Sequence, residues 1–185
     1  MPDLDEQSLI TAAQQDLQLF DQFYLRYVGR IFAFAFRQTG NRELAQDITA
    51  STFEKALAHL DGYRTQGSSP AAWLYKIALN EVRKNYWKQL LLRPLHERDA
   101  SPMDVEGTVQ ASEQNQLLWA ALSKLSNSDR QLLMLRFFDQ LSSAEVADVL
   151  GCSLPNVYLR LHRALGRLRK QIDRQKVEGV VYVSE

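Results

Sequence analysis

Apolar residues recur at steps of three and four along almost the whole chain. Phe20, Phe23, Tyr24, Tyr27, Ile31, Phe34 and Ala35 form one stripe, the spacing of a helix that buries a single face. Leu44, Ile48, Phe53, Ala56, Leu57 and Leu60 predict a second helix over about 42–60. Turn-forming residues from Asp61 to Ser69 predict a loop, and Pro70 suits the first turn of a helix running to about Leu92. The period fails over 93–112, where Pro94, Pro102, Gly107 and mixed charges read as a linker. It resumes at Glu113 and lasts to about Gln175. Residues 177–185 contain Val180-Val181-Tyr182-Val183 and read as a tail, either a short extended piece or a frayed end. The predicted fold class is all-α. Two small helical domains, 1–92 and 113–176, are joined by a flexible linker.

The second domain carries a sharper pattern. Ser128-Asp129-Arg130-Gln131 and Ser142-Ser143-Ala144-Glu145 both fit a capping box, in which a hydroxyl and a side chain three residues on satisfy orphan amides. Gly151 suits the left-handed residue that ends a helix, Ser153 suits the next N-cap, and Pro155 is tolerated in a first turn. A short helix, a glycine turn and a longer helix predict a helix-turn-helix. At about 100° per residue, Leu154, Val157, Leu161, Ala164, Leu165, Leu168 and Ile172 share the core side of the longer helix. Pro155, Asn156, Leu159, His162, Arg163, Gly166 and Lys170 fall opposite. Asn and Arg can each bond a base edge in two places, Leu159 can touch a thymine methyl, and cations attract phosphates. Arg160 and Arg167 flank that face, where the sugar-phosphate rails would run.

Composition narrows the chemistry. The chain of 185 residues has 22 Lys+Arg and 22 Asp+Glu, a formal net charge of zero, which taken alone speaks against a nucleic-acid binder. The distribution speaks for one. Only acids precede Arg26. From Ser153 to Lys176 the bases Arg160, Arg163, Arg167, Arg169, Lys170, Arg174 and Lys176 face Asp173 alone. That asymmetry fits either a polyanion-binding end or a solvated Arg-rich helix. The single Cys152 excludes an internal disulfide, and His59, His96 and His162 lie too far apart in sequence to suggest a metal site. No apolar run approaches the ~18–20 residues of a membrane span, and the acidic N-terminus is unlike a signal peptide. No paired carboxylates, phosphate loop or activated nucleophile suggests an enzyme. A cytoplasmic protein without cofactor is expected.

In the first domain, Trp73, Tyr75, Tyr86 and Trp87 share a helix with Lys76, Arg83, Lys84 and Lys88. Aromatic faces interleaved with cations suit a single-stranded nucleic acid, which stacks its bases and needs its backbone neutralised. The same aromatics are also what an amphipathic helix buries. The loop residues Arg64, Gln66, Ser68 and Ser69 offer polar groups beside that helix.

The motifs in order are Ala45-Gln46-Asp47-Ile48-Thr49, Phe53-Glu54-Lys55-Ala56, Pro70-Ala71-Ala72-Trp73-Leu74-Tyr75-Lys76-Ile77-Ala78-Leu79-Asn80 and Arg83-Lys84-Asn85-Tyr86. After the linker come Leu122-Ser123-Lys124-Leu125 and a helix-turn-helix ending Val157-Tyr158-Leu159-Arg160-Leu161-His162-Arg163-Ala164. Over about 16–173 this resembles the extracytoplasmic-function group of bacterial sigma factors, which keep only regions 2 and 4. The resemblance implies that region 2 binds core RNA polymerase and opens the −10 element, while region 4 reads the −35 element as duplex. By position it implies polymerase contact or support by Gln46, Asp47, Thr49, Phe53 and Glu54. The −10 side would comprise Lys76, Asn80, Arg83, Lys84 and Trp87, with Arg64, Gln66, Ser68 and Ser69 at the pocket for an extruded base. The −35 side would comprise Pro155, Asn156, Tyr158, Leu159, His162 and Arg163, with Arg160 and Arg167 at the backbone. It also implies the polymerase clamp and flap, promoter DNA and an anti-sigma factor as partners. Pro155-Asn156, Tyr158, Leu159 and Gln46 depart from common family residues. The residues themselves leave room for an ordinary helix-turn-helix regulator with an N-terminal sensing or dimerisation domain, or for a protein-binding adaptor.

Overall fold

The computed structural model describes residues 5–64, 68–92 and 113–181, with side chains over 5–64, 68–86 and 117–175. The linker predicted at 93–112 lies outside them. Two compact helical units result, and among the described residues both are built from helices without strands.

The first unit contains α1 (Glu6–Gln15), α2 (Phe20–Thr39), α3 (Arg42–Ala58) and α4 (Pro70–Leu92). The α2 stripe forms its centre: Phe20, Phe23, Tyr27, Ile31, Phe34 and Ala35 are buried. Ile48, Phe53 and Ala56 of α3 pack there with Leu74, Tyr75, Ala78 and Leu79 of α4. Burial of such side chains is worth about 1.5–3 kcal/mol each relative to exposure. Gly40, at φ 64°, ends α2 in the left-handed conformation, and the Asn41 side chain accepts from Leu44 N at 2.9 Å to start α3. α1 was not foreseen. Its N-cap is Asp5, whose carboxylate accepts from the Ser8 amide and hydroxyl, and these bonds hold its pKa below the usual carboxylate value. It brings Leu9, Ile10 and Ala13 to the core.

The second unit is built on α5 (Glu113–Ser123), α6 (Asn127–Leu133), the first part of α7 (Ser143–Leu150) and α8 (Leu154–Val181), with one π turn over Met134–Phe138 between α6 and α7. Leu122, Leu132, Leu133, Met134, Leu135, Val146, Val157, Leu161 and Ala164 are buried.

Several sequence expectations change. α6 is capped by Ser126, whose hydroxyl accepts from Asp129 N at 3.2 Å; Ser128 sits inside the helix. α8 continues through Val181, so Val177 to Val181 are helical and neither an extended piece nor a separate tail, while 182–185 lie outside the described residues. Leu154 and Leu165 are exposed, as are Tyr24 and Leu57. Tyr24 and Leu57 border the buried arcs of α2 and α3. Leu154 and Leu165 sit at the edge of the α8 arc, where a helix needs only a narrow stripe to pack.

Candidate nucleic-acid interface

The helix-turn-helix is built as its sequence requires. Ser142 N donates to Glu145 Oε2 at 2.7 Å, and Glu145 N donates to Ser142 Oγ at 3.2 Å, a reciprocal capping box at the start of α7. Gly151, at φ 64°, turns the chain out of α7. Cys152 N donates to Ala147 O at 3.0 Å, and Val157 N donates to Ser153 O at 3.1 Å as α8 begins. Pro155 falls in that first turn. Val157, Leu161 and Ala164 then seat α8 on the core, which leaves Asn156, Tyr158, Leu159, His162 and Arg163 facing solvent beside Pro155.

Arg160 and Arg167 are held by α6. One Arg160 nitrogen donates to Ser128 Oγ at 2.7 Å and the other approaches Cys152 Sγ at 3.9 Å. Arg167 pairs with the Asp129 carboxylate at 2.6 Å, and that carboxylate side chain is only 10% exposed. Thus the two arginines expected from the sequence at the phosphate rails fix the roll of α8 about its axis, with nitrogens left over for other acceptors.

In the first unit α4 starts where expected. Ala72 N donates to Ser69 Oγ at 3.1 Å, so Ser69 caps the helix, and Pro70 fills its first position. Lys76, Asn80, Arg83 and Lys84 occupy one exposed face, at spacings of four, seven and eight residues from Lys76. Their span is about 12 Å along the helix axis. None of the four makes a hydrogen bond or ion pair among the described residues. The α4 backbone carries Trp87, eleven residues past Lys76, along the same face; its side chain is not described.

The aromatics divide differently from a stacking platform. Tyr75 is fully buried, edge-on to Phe34 at 5.3 Å, and Trp73 leans on Tyr63 at 5.0 Å. Tyr75 belongs to the core, and Trp73 is half-buried at its edge. Tyr86 remains half-buried toward the end of the exposed face.

The loop before α4 is braced from within. The Tyr63 hydroxyl shares its one proton between Ser68 O at 2.8 Å and Gln7 Oε1 at 3.2 Å, and burial pushes its pKa up. Gln14 Nε2 donates to Leu60 O at 2.8 Å and to Tyr63 O at 3.0 Å. Gln7 and Gln14 of α1 therefore position this loop, a role no local motif announced. Arg64 donates to Asp61 O at 2.6 Å and to Tyr63 O at 3.1 Å. Gln66 lies outside the described residues.

On α3, Gln46, Asp47 and Glu54 are exposed, whereas Thr49 and Phe53 are buried. Thr49 donates to Ala45 O at 2.7 Å, and Phe53 meets the Tyr24 ring edge-on at 4.7 Å. The buried pair supports the surface that the other three present. Behind it, Lys55 forms an ion pair with Glu81 of α4, whose carboxylate is nearly buried.

Residues 23–90 match sigma-70 region 2, and residues 115–168 match sigma-70 region 4. The RNA polymerase sigma factor YlaC of Bacillus subtilis is 32% identical over 165 residues, which cover 85% of this chain and 94% of that protein. The chain belongs to the sigma-70 family of RNA polymerase sigma factors, in its extracytoplasmic-function group. The group member SigW of Bacillus subtilis is 26% identical over 162 residues, covering 79% of this chain and 84% of that protein. Among solved structures, CnrH, in complex with the cytosolic domain of CnrY, aligns with a TM-score of 0.67 at 26% identity, covering 91% of this chain and 97% of that one. The sigma factor RpoE of Bartonella quintana, in complex with the anti-sigma factor NepR, gives 0.62 at 25% identity, covering 83% and 96%. As in the family, the first described unit corresponds to region 2 and the second to region 4. Among the described residues no helix is long and apolar enough to cross a membrane.

Proposed function

We propose that this sigma factor divides promoter recognition between the exposed face of α4 and the start of α8, and docks on core RNA polymerase through the outer face of α3. The unpartnered row Lys76, Asn80, Arg83 and Lys84 carries the reading. A polar strip without internal partners among the described residues, on an otherwise well-packed helix, is what an extended anionic ligand requires. Asn80 offers both donor and acceptor to an unstacked base, while the cations neutralise its backbone. Trp87 extends the row. Arg64, Ser68 and Ser69 of the loop before α4, with Gln66 by its place in the sequence, receive the extruded base, and a fitted pocket offsets the few kcal/mol of flipping.

The second unit meets duplex DNA. Asn156, Leu159, His162 and Arg163 address base edges in the major groove, with Pro155 and Tyr158 beside them. Arg160 and Arg167 hold α8 at its angle and approach the backbone with their remaining nitrogens. Gln46, Asp47 and Glu54 present an acidic, polar face to the polymerase clamp, supported by Thr49 and Phe53. The similar RpoE, in complex with the anti-sigma factor NepR, supports an anti-sigma factor as a further partner. The protein works in the cytoplasm by binding, without catalysis of its own. Domain limits at 1–92, 93–112 and 113–176 follow from this division, with the end of α8 beyond them.

Reconstitution tests the reading. Core polymerase plus this chain initiates at defined promoters, and Asn80→Ala or Lys84→Ala impairs opening of a duplex promoter more than transcription from a pre-opened one. An ordinary helix-turn-helix regulator would bind its duplex site unaided and fail to program the core enzyme.

A further inference from the structure

The basic face of α8 does not stop at the residues that face base edges. Arg163, Arg167, Lys170 and Arg174 follow one another at steps of four, three and four, all on the side of Asn156 and Leu159. α8 has 28 residues and is therefore about 42 Å long, whereas the major groove is about 12 Å wide. A helix that enters the groove by its first turns must leave it again and pass a phosphate rail. Lys170 lies seven residues beyond Arg163, about 10 Å further along the axis, and Arg174 about 16 Å.

At that height the stripe becomes a groove. A cavity of about 390 Å³ opens between α8 and the connection from α5 to α6, walled by Lys124, Ser126, Asp129, Arg167, Lys170 and Arg174. Its one carboxylate, Asp129, is already neutralised by Arg167. Lys124, Lys170 and Arg174 are exposed and form no ion pair among the described residues. The cavity therefore carries uncompensated positive charge from two separate elements, and its central guanidinium is fixed in place before any ligand arrives. Phosphodiesters suit such a cradle, because each cation bound to one releases a condensed counterion. Continuity with the reading face favours DNA over an acidic protein segment.

We propose that Lys124, Lys170 and Arg174, around the anchored Arg167, bind the phosphodiester backbone of DNA flanking the −35 hexamer. The groove adds affinity without adding sequence preference. It rests on α8 meeting the −35 duplex as proposed above.

The test uses holoenzyme reconstituted from core polymerase and the full chain, with closed-complex affinity measured against salt concentration. For K124Q/K170Q/R174Q, the slope of log affinity against log salt becomes shallower by about 2–3, near 0.9 for each lost phosphate contact. Preference among −35 sequences stays unchanged. Cutting the duplex back to the edge of the hexamer abolishes the difference between variant and parent. Arg169→Gln removes a cation from α8 outside the groove and leaves the slope as it was. An unchanged slope for the triple variant on long DNA overturns the proposal, as does a change that persists on the trimmed duplex. Lowered affinity for core polymerase with an unaltered slope also overturns it, and shows that the cations face protein. Arg163→Ala, assayed in parallel for altered −35 preference, reports separately on whether α8 reads the hexamer at all.

Discussion

Arg163 stands in solvent on the outward side of α8, whereas Arg160 and Arg167, three and four residues away, reach α6 at 2.7 Å and 2.6 Å. Charge counting treats the three alike; geometry separates them. Replacing Arg163 with Ala removes the proposed base-edge contact and no packing, so discrimination at one −35 base pair is expected to fall by about 1–3 kcal/mol. Competition between promoters differing at single −35 positions measures it, and an unchanged profile removes Arg163 from the reading set. Arg167→Ala acts in the other sense. It leaves the nearly buried Asp129 carboxylate unpaired, and because the arginine itself is half exposed the loss is modest, about 1 kcal/mol of stability. Urea unfolding of the full chain shows that loss, while the ranking of −35 sequences is preserved. If the ranking changes, Arg167 reads bases as well as bracing the helix.

Elements with a long, one-sided stripe were legible from spacing alone, as α2, α3 and most of α8 show, and α4 was legible from the turn residues before it and from Pro70. The helix-turn-helix was legible because Ser142, Glu145 and Gly151 each answer a stereochemical need that few other residues meet. The rest was hidden for identifiable reasons. α1 brings only Leu9, Ile10 and Ala13 inward from an acid-rich segment, too few for a stripe. The start of α6 was misplaced because Ser126 and Ser128 each have a polar residue three positions on, and only tertiary contact with Arg160 takes Ser128. The residues of the exposed α4 strip were legible one by one, yet that their side chains lack internal partners among the described residues is visible only once the helices pack. Gly151 yields an element-scale prediction. Nothing lies within 4 Å of a Cβ added there, so Gly151→Ala costs only the left-handed strain, about 1–2 kcal/mol, whereas Asn, which tolerates that conformation, costs less. Equal losses for the two, measured by urea unfolding, would mean that crowding decides the position. Gly29, exposed within α2 and equally uncrowded, behaves oppositely: Gly29→Ala raises stability by about 0.5–1 kcal/mol, since it relieves only backbone entropy in a helix interior.

Across the whole molecule, the formal charge is zero although the α8 end is strongly basic and only acids precede Arg26. A polyanion approaching the isolated chain meets attraction at one end and repulsion at the other, with little net steering. Each helical unit offers DNA only a few contacts. Two weak contacts reinforce one another only when their separation matches the spacing of their sites, and core polymerase is the body that sets that separation. The −10 contact also requires an opened strand, and closed promoter duplex does not present one. Isolated sigma therefore binds promoter duplex near the non-specific level, about 10⁻⁴–10⁻⁶ M at physiological salt, and loses that binding steeply as salt rises. Adding core polymerase converts it to tight, sequence-dependent binding on the same DNA. Titration of labelled promoter duplex with and without the enzyme decides the matter. Tight and salt-insensitive binding by the chain alone would show that the two units carry their own spacing and that promoter selection does not depend on the polymerase.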